Sequence, residues 1–476
     1  VAALELVLSN RLTISRRGLP LGVLEELRTL FTADNPKRGT KKSAPLVDGE
    51  DEPAEMEPET ISCHDEGPDS LSVPRGALPE VVRVLQRAGI HGTIRRRTVQ
   101  PPSIPMTRRE GVSLFPYQET AVQAALSAKG GVVQIPCGGG KTVVGMEIVA
   151  RSNTPALWLC HTADLARQAV ECARNMYGMT DVGLFGDNSE SMGERLTVGL
   201  VQSLTDKDLS GIASQFGCVV LDEAHHAPAD TFRTLIEQFP ADIRLGLTAT
   251  PERRDGLHTW MHAMFGPTVY AAAFRDIAAA GRIMLPDVGF VRTGVGAEKK
   301  FPDPAAHWSK ALKYLSESET RNKLILDLTA RMVAEGRRCL IVVWSVKHVA
   351  LLTRELEARG IPAVHLVGDV SSKKRAEFVA AVRRGDARVA VATTVADEGL
   401  DIPELDTVFM ASPTRSAGLV TQRAGRVMRV SPTKQPPLVI DLVDEHSMYE
   451  FQASKRLEVY RQTIGARILP RGAIAA

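Results

Sequence analysis

The chain holds 476 residues, 44% of them hydrophobic and 24% charged, with a formal net charge of +2. That length is more than one core can serve and predicts two or three domains, and the near-balance of charge leaves any attraction to polyanions to local patches. The six cysteines, Cys63, Cys137, Cys160, Cys172, Cys218 and Cys339, form no CxxC pair and have no histidines at ligand spacing. This counts against a zinc site and against a secreted disulfide scaffold. No apolar run reaches membrane-spanning length and the start lacks signal-peptide character, so a cytoplasmic protein without a membrane partner is expected.

Residues 4–8 and 11–14 read as strands and 21–31 as a helix. A basic patch follows (Lys37, Arg38, Lys41, Lys42), and then residues 48–69 carry ten acidic side chains and no Lys or Arg, the composition of a solvated loop. Order returns at 71–76, with a helix over 78–88. Residues 91–110 are basic and proline-rich, with Arg95, Arg96, Arg97, Arg108 and Arg109, and read either as a solvated linker or as a phosphate-contacting edge.

From Val112 the pattern becomes a regular α/β alternation, with a helix over 119–127 and then the run Val132-Val133-Gln134-Ile135-Pro136-Cys137-Gly138-Gly139-Gly140-Lys141-Thr142-Val143. A strand, a glycine-rich turn and a helix opening on Lys-Thr make a phosphate-binding loop. Its glycines let backbone N–H groups face oxyanions, Lys141 reaches the outer phosphates, and Thr142 offers a hydroxyl to magnesium. One position departs from the usual pattern, since Ile135 stands where glycine or alanine is common six residues before the lysine. Apolar strands at 157–160, 196–201, 218–221 and 245–247 end in His161-Thr162, Gln202-Ser203, Asp222-Glu223 and Thr248-Ala249-Thr250. In a parallel sheet those carboxyl ends form the ligand crevice. Residues 256–322 look less regular and lead to a second α/β set, with strands at 339–344, 362–366, 388–394, 407–410 and 438–442 and a helix at 373–384. Residues 445–461 read as a helix, and 468–476 as a frayed end.

Asp222-Glu223-Ala224-His225 closes a buried-looking strand, where one carboxylate can hold the metal that Thr142 touches and the next can activate water. Asp222 is the expected metal-side acid and Glu223 the base, against the plainer reading of a helix N-cap. In the second set, Gln422-Arg423-Ala424-Gly425-Arg426-Val427-Met428-Arg429 places Arg423, Arg426 and Arg429 three apart, on one face if the segment is helical. Arg426 and Arg429 suit the positive charge that phosphoryl transfer needs, with solvated surface arginines as the alternative.

From about Leu114 to Asp441 the chain resembles a superfamily 2 helicase or translocase of the DEAH type. The resemblance rests on Tyr117-Gln118 as the adenine-side motif and on residues 136–142 as motif I. It continues through 161–168, 201–203, Asp222–His225 as motif II, Thr248-Ala249-Thr250-Pro251 as motif III, Trp344-Ser345, Gly368-Asp369, 393–403 as motif V and 422–429 as motif VI. Within that superfamily it is similar to the xeroderma pigmentosum group B repair helicases and to phage branch-migration helicases, on Pro136-Cys137-Gly138-Gly139-Gly140-Lys141 and Leu247-Thr248-Ala249-Thr250-Pro251. Arg253-Arg254-Asp255 stands where the repair helicase has Arg-Glu-Asp, with Arg254 replacing the acid.

The resemblance implies two tandem RecA-like domains with parallel sheets (111–280 and 281–445), preceded by a small α+β domain (1–110, with an acidic loop near 45–70) and followed by a helix and tail (446–476). It implies ATP and Mg2+ as cofactors in a cleft between the RecA-like domains. Lys141, Asp222, Glu223, Gln422, Arg426 and Arg429 would be catalytic, and Thr142 and Asp222 would bind metal. Tyr117, Gln118, Pro136, Cys137, Gly138, Gly139, Gly140, Lys141, Thr142, Gly399 and Asp401 would line the nucleotide. Nucleic acid would run over strand-end loops, with Thr162, Gln202, Ser203, Thr394 and Arg415 as contacts. The expected activity is a DNA-dependent ATPase and helicase in repair, recombination or replication, acting as a monomer on forked, branched or duplex DNA, with RNA open as a track and repair, recombination or phage replication proteins as partners. Two alternatives stand beside it: a duplex translocase of restriction or remodelling type without strand separation, and a non-catalytic nucleic-acid-binding scaffold.

Overall fold

Period-two burial builds the first sheet. In strands Leu4–Leu8, Arg11–Ser15 and Ser70–Pro74, Leu4, Leu6, Leu8, Leu12, Ile14, Leu71 and Val73 all point inward while their neighbours face out. The computed structural model describes residues 4–35, 59–186, 189–205, 207–226, 230–249, 258–298, 300–368, 370, 372–393, 402–432 and 434–474. The chain divides into two compact units, one of Val1–Leu114, Gln118–Val133 and Thr142–Tyr270, the other of Phe115–Tyr117, Gln134–Lys141 and Ala271–Ala476.

In the first unit the N-terminal five-stranded sheet runs Asp65–Glu66, Ser70–Pro74, Arg11–Ser15, Leu4–Leu8, Gly92–Arg96, and helices Leu21–Leu30 and Leu78–Arg87 supply Leu24, Leu27, Val81, Val84 and Leu85 to its core. Two segments differ from their sequence reading. Part of the acidic stretch pairs as short strands, Thr60–Ser62 with Thr32–Asp34 and Asp65–Glu66 with Ser70–Pro74, whereas 36–58 lie outside the described residues. The basic stretch begins as an edge strand, Gly92–Arg96, parallel to Leu4–Leu8, with every residue exposed. Its composition hid it, because an outer strand needs no apolar face.

This sheet shares its core with the helix His258–Phe265 through Trp260 and Ala263. The buried Arg75 guanidinium donates to the carbonyls of Ala241 and Asp242, and Arg11 pairs with Glu237. A side chain at Gly76 would lie 2.3 Å from the Gly266 nitrogen, so only glycine permits this approach.

The same unit carries an eight-stranded sheet ordered Ser189–Ser191, Gly183–Gly186, Leu196–Leu200, Ala156–Cys160, Cys218–Asp222, Ile243–Thr248, Gly130–Gln134, Thr268–Ala271. Its central pairings are parallel, and the strands Ala156–Cys160, Cys218–Asp222 and Ile243–Thr248 are buried throughout, as a sheet covered on both faces requires. The second unit holds a seven-stranded parallel sheet ordered Ala363–Leu366, Val389–Ala392, Cys339–Val342, Thr407–Met410, Leu438–Val443, Asp287–Arg292, Arg467–Ile468.

Asp287–Arg292 falls in the stretch read as irregular, and the strand Arg467–Ile468 reaches into the end read as frayed, at Ile468. The latter is held by pairing with Asp287 and Val288, and Ile474 packs on Gly289, where a side chain would come within 2.2 Å. These contacts join residues nearly two hundred apart, which local pattern cannot reveal.

Candidate functional site

The phosphate-loop segment Gln134–Lys141 turns as its glycines dictate. Gly138 and Gly140 have φ of 84° and 81°, conformations that other residues resist, and the Gly139 N–H donates to Pro136 O at 3.0 Å. A side chain at Gly139 would meet Ile135, Ile277 and Pro136 at 2.6 to 3.1 Å, so the backbone there stays bare. Ile135 is therefore a floor beneath the turn and not a defect in it. Tyr117 Oη donates to Gly139 O at 2.7 Å and its ring stacks with Phe115, whose face is covered by Arg282. Within the same unit, Gly425 of the helix Ala417–Met428 lies against Cys137, where a side chain would be 2.8 Å from its Cβ.

That helix buries Gln422, Arg423 and Arg426. It ends at Met428, so Arg429 is an extended C-cap and not a third arginine on one helical face. Burial pulls the Arg429 guanidinium below its ordinary range, and the Cys137 thiol partly offsets this. Lys434 donates to Pro403 O at 3.0 Å and Arg429 O at 2.7 Å, tying the end of one expected motif to the end of the next. Its burial brings the ammonium down to about 7.

The loop before this helix rests on two guanidiniums that sequence reading missed. Arg456 donates to both oxygens of Asp441 and to Thr414 O, and Tyr460 donates to Asp441 at 2.9 Å. Arg321 donates to Asp444 at 2.7 Å and to Ala411 O at 2.7 Å, and Thr293 donates to Asp444 at 2.8 Å. All four charged residues are buried. One signal was available, since an aspartate inside Leu438-Val439-Ile440-Asp441-Leu442 demands a buried partner.

In the first unit, Asp222 ends its strand with 2% exposure and accepts the Glu223 N–H at 3.0 Å. Glu223 takes φ of 52°, a left-handed conformation costing roughly 1–3 kcal/mol in a residue with a Cβ, of the kind that accumulates at functional sites. His225 Nδ1 lies 3.4 Å from the Glu223 carboxylate and 3.2 Å from Thr248 Oγ1, which links the expected motifs II and III. Thr142 and Asp222 offer hydroxyl and carboxylate oxygen, the donor chemistry magnesium takes, so these residues fit the metal the fold implies.

A second buried carboxylate anchors the helix Lys141–Ser152. Glu147 receives Arg108 from the preceding segment at 2.5 Å, Arg151 from its own helix at 2.7 Å and Tyr177 from the helix Ala163–Tyr177. Arg151 also grips Glu119 of the helix Pro116–Ala128. Burial alone would raise the Glu147 carboxyl, but these donors hold it below the usual range. The expected nucleic-acid contacts divide. Thr162 is the N-cap of Ala163–Tyr177, accepting Leu165 N–H at 3.3 Å, Gln202 and Arg415 are exposed, and Ser203 is half-buried. Thr394, Gly399, Asp401, Asp369, Thr250, Pro251 and Arg253-Arg254-Asp255 lie outside the described residues.

Comparison with known proteins bears on both units. Residues 111–253 match the family "Type III restriction enzyme, res subunit", and 320–431 match "Helicase conserved C-terminal domain". The chain is 27% identical over 379 residues to the DNA 3'-5' translocase XPB2 of Sulfurisphaera tokodaii, covering 73% of this chain and 85% of that protein. It is 29% identical over 331 residues to the DNA 3'-5' helicase XPB of Kineococcus radiotolerans, covering 67% of this chain but 58% of that longer protein. The S. cerevisiae Dbp5 structure bound to RNA and ADP BeF3 shares the fold, with a TM-score of 0.53, 17% identity and coverage of 82% and 93%. Two RecA-like domains in tandem, matched in turn by the restriction-enzyme res-subunit and helicase C-terminal families and built on parallel sheets, make this chain an ATP-hydrolysing member of the superfamily 2 helicases and translocases, related to the XPB-type repair helicases.

Proposed function

We propose that the chain is an ATP-driven motor that translocates on DNA, with duplex translocation favoured over strand separation. The observation that carries this choice is Arg254, which stands in place of the acid of the repair helicases' Arg-Glu-Asp element. The name of the archaeal relative, a DNA translocase spanned over 85% of its length, supports it. Unwinding in repair, recombination or replication is the second reading, supported by the bacterial relative's name.

In this proposal Gly138, Gly139, Gly140 and Lys141 hold the triphosphate, with Tyr117 and Gln118 on the base side. Thr142 and Asp222 would hold magnesium, which when bound would neutralise phosphate charge. Glu223 takes the proton of the attacking water. Arg426 and Arg429, with Gln422, bring positive charge and hydrogen bonds to the outer phosphate oxygens. Gln202, Ser203 and Arg415 touch the polynucleotide through its backbone, which makes binding independent of sequence and steeply dependent on salt.

The test is ATPase activity with single-stranded, duplex, forked and four-way DNA beside RNA, run together with strand displacement and triplex displacement. Stimulation by duplex DNA and triplex displacement without strand separation is the expected result. Strand displacement on forks moves the assignment to the second reading, and no ATPase with any polynucleotide overturns both.

A further inference from the structure

The four tryptophans divide sharply: Trp158 and Trp260 are buried, whereas Trp308 and Trp344 are 37% and 41% exposed. Both exposed rings belong to the second unit and leave the carboxyl edge of its parallel sheet. Trp344 follows the strand Cys339–Val342, and Trp308 lies on the segment that leaves Asp287–Arg292. Trp308 opens the helix Trp308–Glu317 and leans on Tyr449, with ring centroids 6.0 Å apart. Phe301 packs edge-on against Tyr449 and Tyr314 from the other side, and His446 lies 5.8 Å from Phe301.

The support beneath is rigid. Asp444, directly after its strand, is fixed by Thr293 and Arg321, and Gly296 takes φ of 113° against the backbone of Glu445. A rigidly backed indole loses little freedom when it stacks. Basic groups are at hand: Lys300, Lys310 and His307 are exposed, while Glu317 pairs with Lys313 and Glu450 with Arg292.

We infer that Trp308 is a stacking platform for a nucleobase of an unpaired polynucleotide strand. This rests on the motor reading and, within it, on the second, strand-separating form, since a paired base hides both faces in its stack and only an unpaired base can make this contact. DNA and RNA share that chemistry.

The experiment measures binding of labelled oligothymidylate, oligouridylate and blunt duplex to the full chain. Trp308→Ala should weaken both single strands by at least about fivefold, as loss of a stacked base does, and leave duplex binding within about twofold. Trp308→Phe should recover most of the loss, and basal ATPase without nucleic acid should not change. Oligothymidylate should quench the emission of wild-type protein and of Trp344→Phe, but not of Trp308→Phe, a readout that does not depend on the alanine variant folding. Unchanged single-strand affinity in Trp308→Ala, equal losses on duplex and single strands, or quenching that persists in Trp308→Phe would each overturn the platform. Absence of binding by wild type to any of the three probes overturns the motor reading itself.

Discussion

Replacing Arg456 by methionine tests whether a buried ion pair fixes the arginine-bearing helix. The Arg456 side chain is 3% exposed and that of its partner Asp441 is 0%. Methionine keeps most of the volume but strips Asp441 of two guanidinium bonds, leaving Tyr460 as its donor among the described residues, and removes the donor to Thr414 O. Breaking one side of such a pair costs about 3–5 kcal/mol, because the remaining charge stays buried. For a unit of this size each kcal/mol moves the midpoint by roughly 2–4 °C, so the transition of the second unit should fall by about 6–20 °C.

Asp441→Asn alone should cost a similar amount by stranding the guanidinium. The double variant should be more stable than either single one, since asparagine still accepts from Tyr460 and no charge is left unpaired. Its residual deficit is about 1–2 kcal/mol for the lost bond to Thr414 O. Differential scanning calorimetry of the four proteins closes the cycle. Additive single effects, to within about 0.5 kcal/mol, would refute the pairing argument. Because Thr414 lies just before the N-cap Ser416 of the helix that carries Gln422 and Arg426, polynucleotide-stimulated ATPase should also drop well below the melting range.

The remaining expectations concern the chemistry, the other unit and pH. Glu223→Gln should lower ATP turnover by about 10²–10⁴-fold while ATP binding survives, and Lys141→Ala should abolish turnover; unchanged activity in Glu223→Gln would remove Glu223 from the role of base. Glu147→Gln should destabilise the first unit by about 3 kcal/mol, and Tyr177→Phe by about 1 kcal/mol, in chemical denaturation; equal effects would mean that the arginines contribute nothing beyond the hydroxyl. His348 Nε2 donates to Asn322 Oδ1 over 2.8 Å, and burial, with Arg321 nearby, depresses its imidazole from 6.5 to about 3. The folded state keeps this ring neutral while the unfolded chain protonates it. Its contribution is therefore intact above pH 6.5 and is lost as pH falls toward 3, at up to about 1.4 kcal/mol per pH unit. His348→Gln should flatten that part of the stability profile, and an unchanged slope would contradict the assignment.

The candidate parts of the proposed motor were legible in one dimension because each is local. A glycine turn before Lys141, carboxylates at the end of an apolar strand and arginines spaced on a helix are set by backbone geometry within a dozen residues. The parallel sheets were legible for a related reason, as strands buried on both faces must be apolar throughout. Tertiary structure alone decided the supports. Gly92–Arg96 is a strand only because Leu4–Leu8 lies beside it, Arg467–Ile468 only because Asp287–Arg292 does, and Arg11 is anchored by Glu237. The same holds for Arg456, Arg321 and Glu147, whose charges are tolerable in the interior only because partners 15, 123 and 39 residues away arrive to meet them. A buried charge is a demand the sequence states without naming who answers it, and only the folded chain supplies the partner.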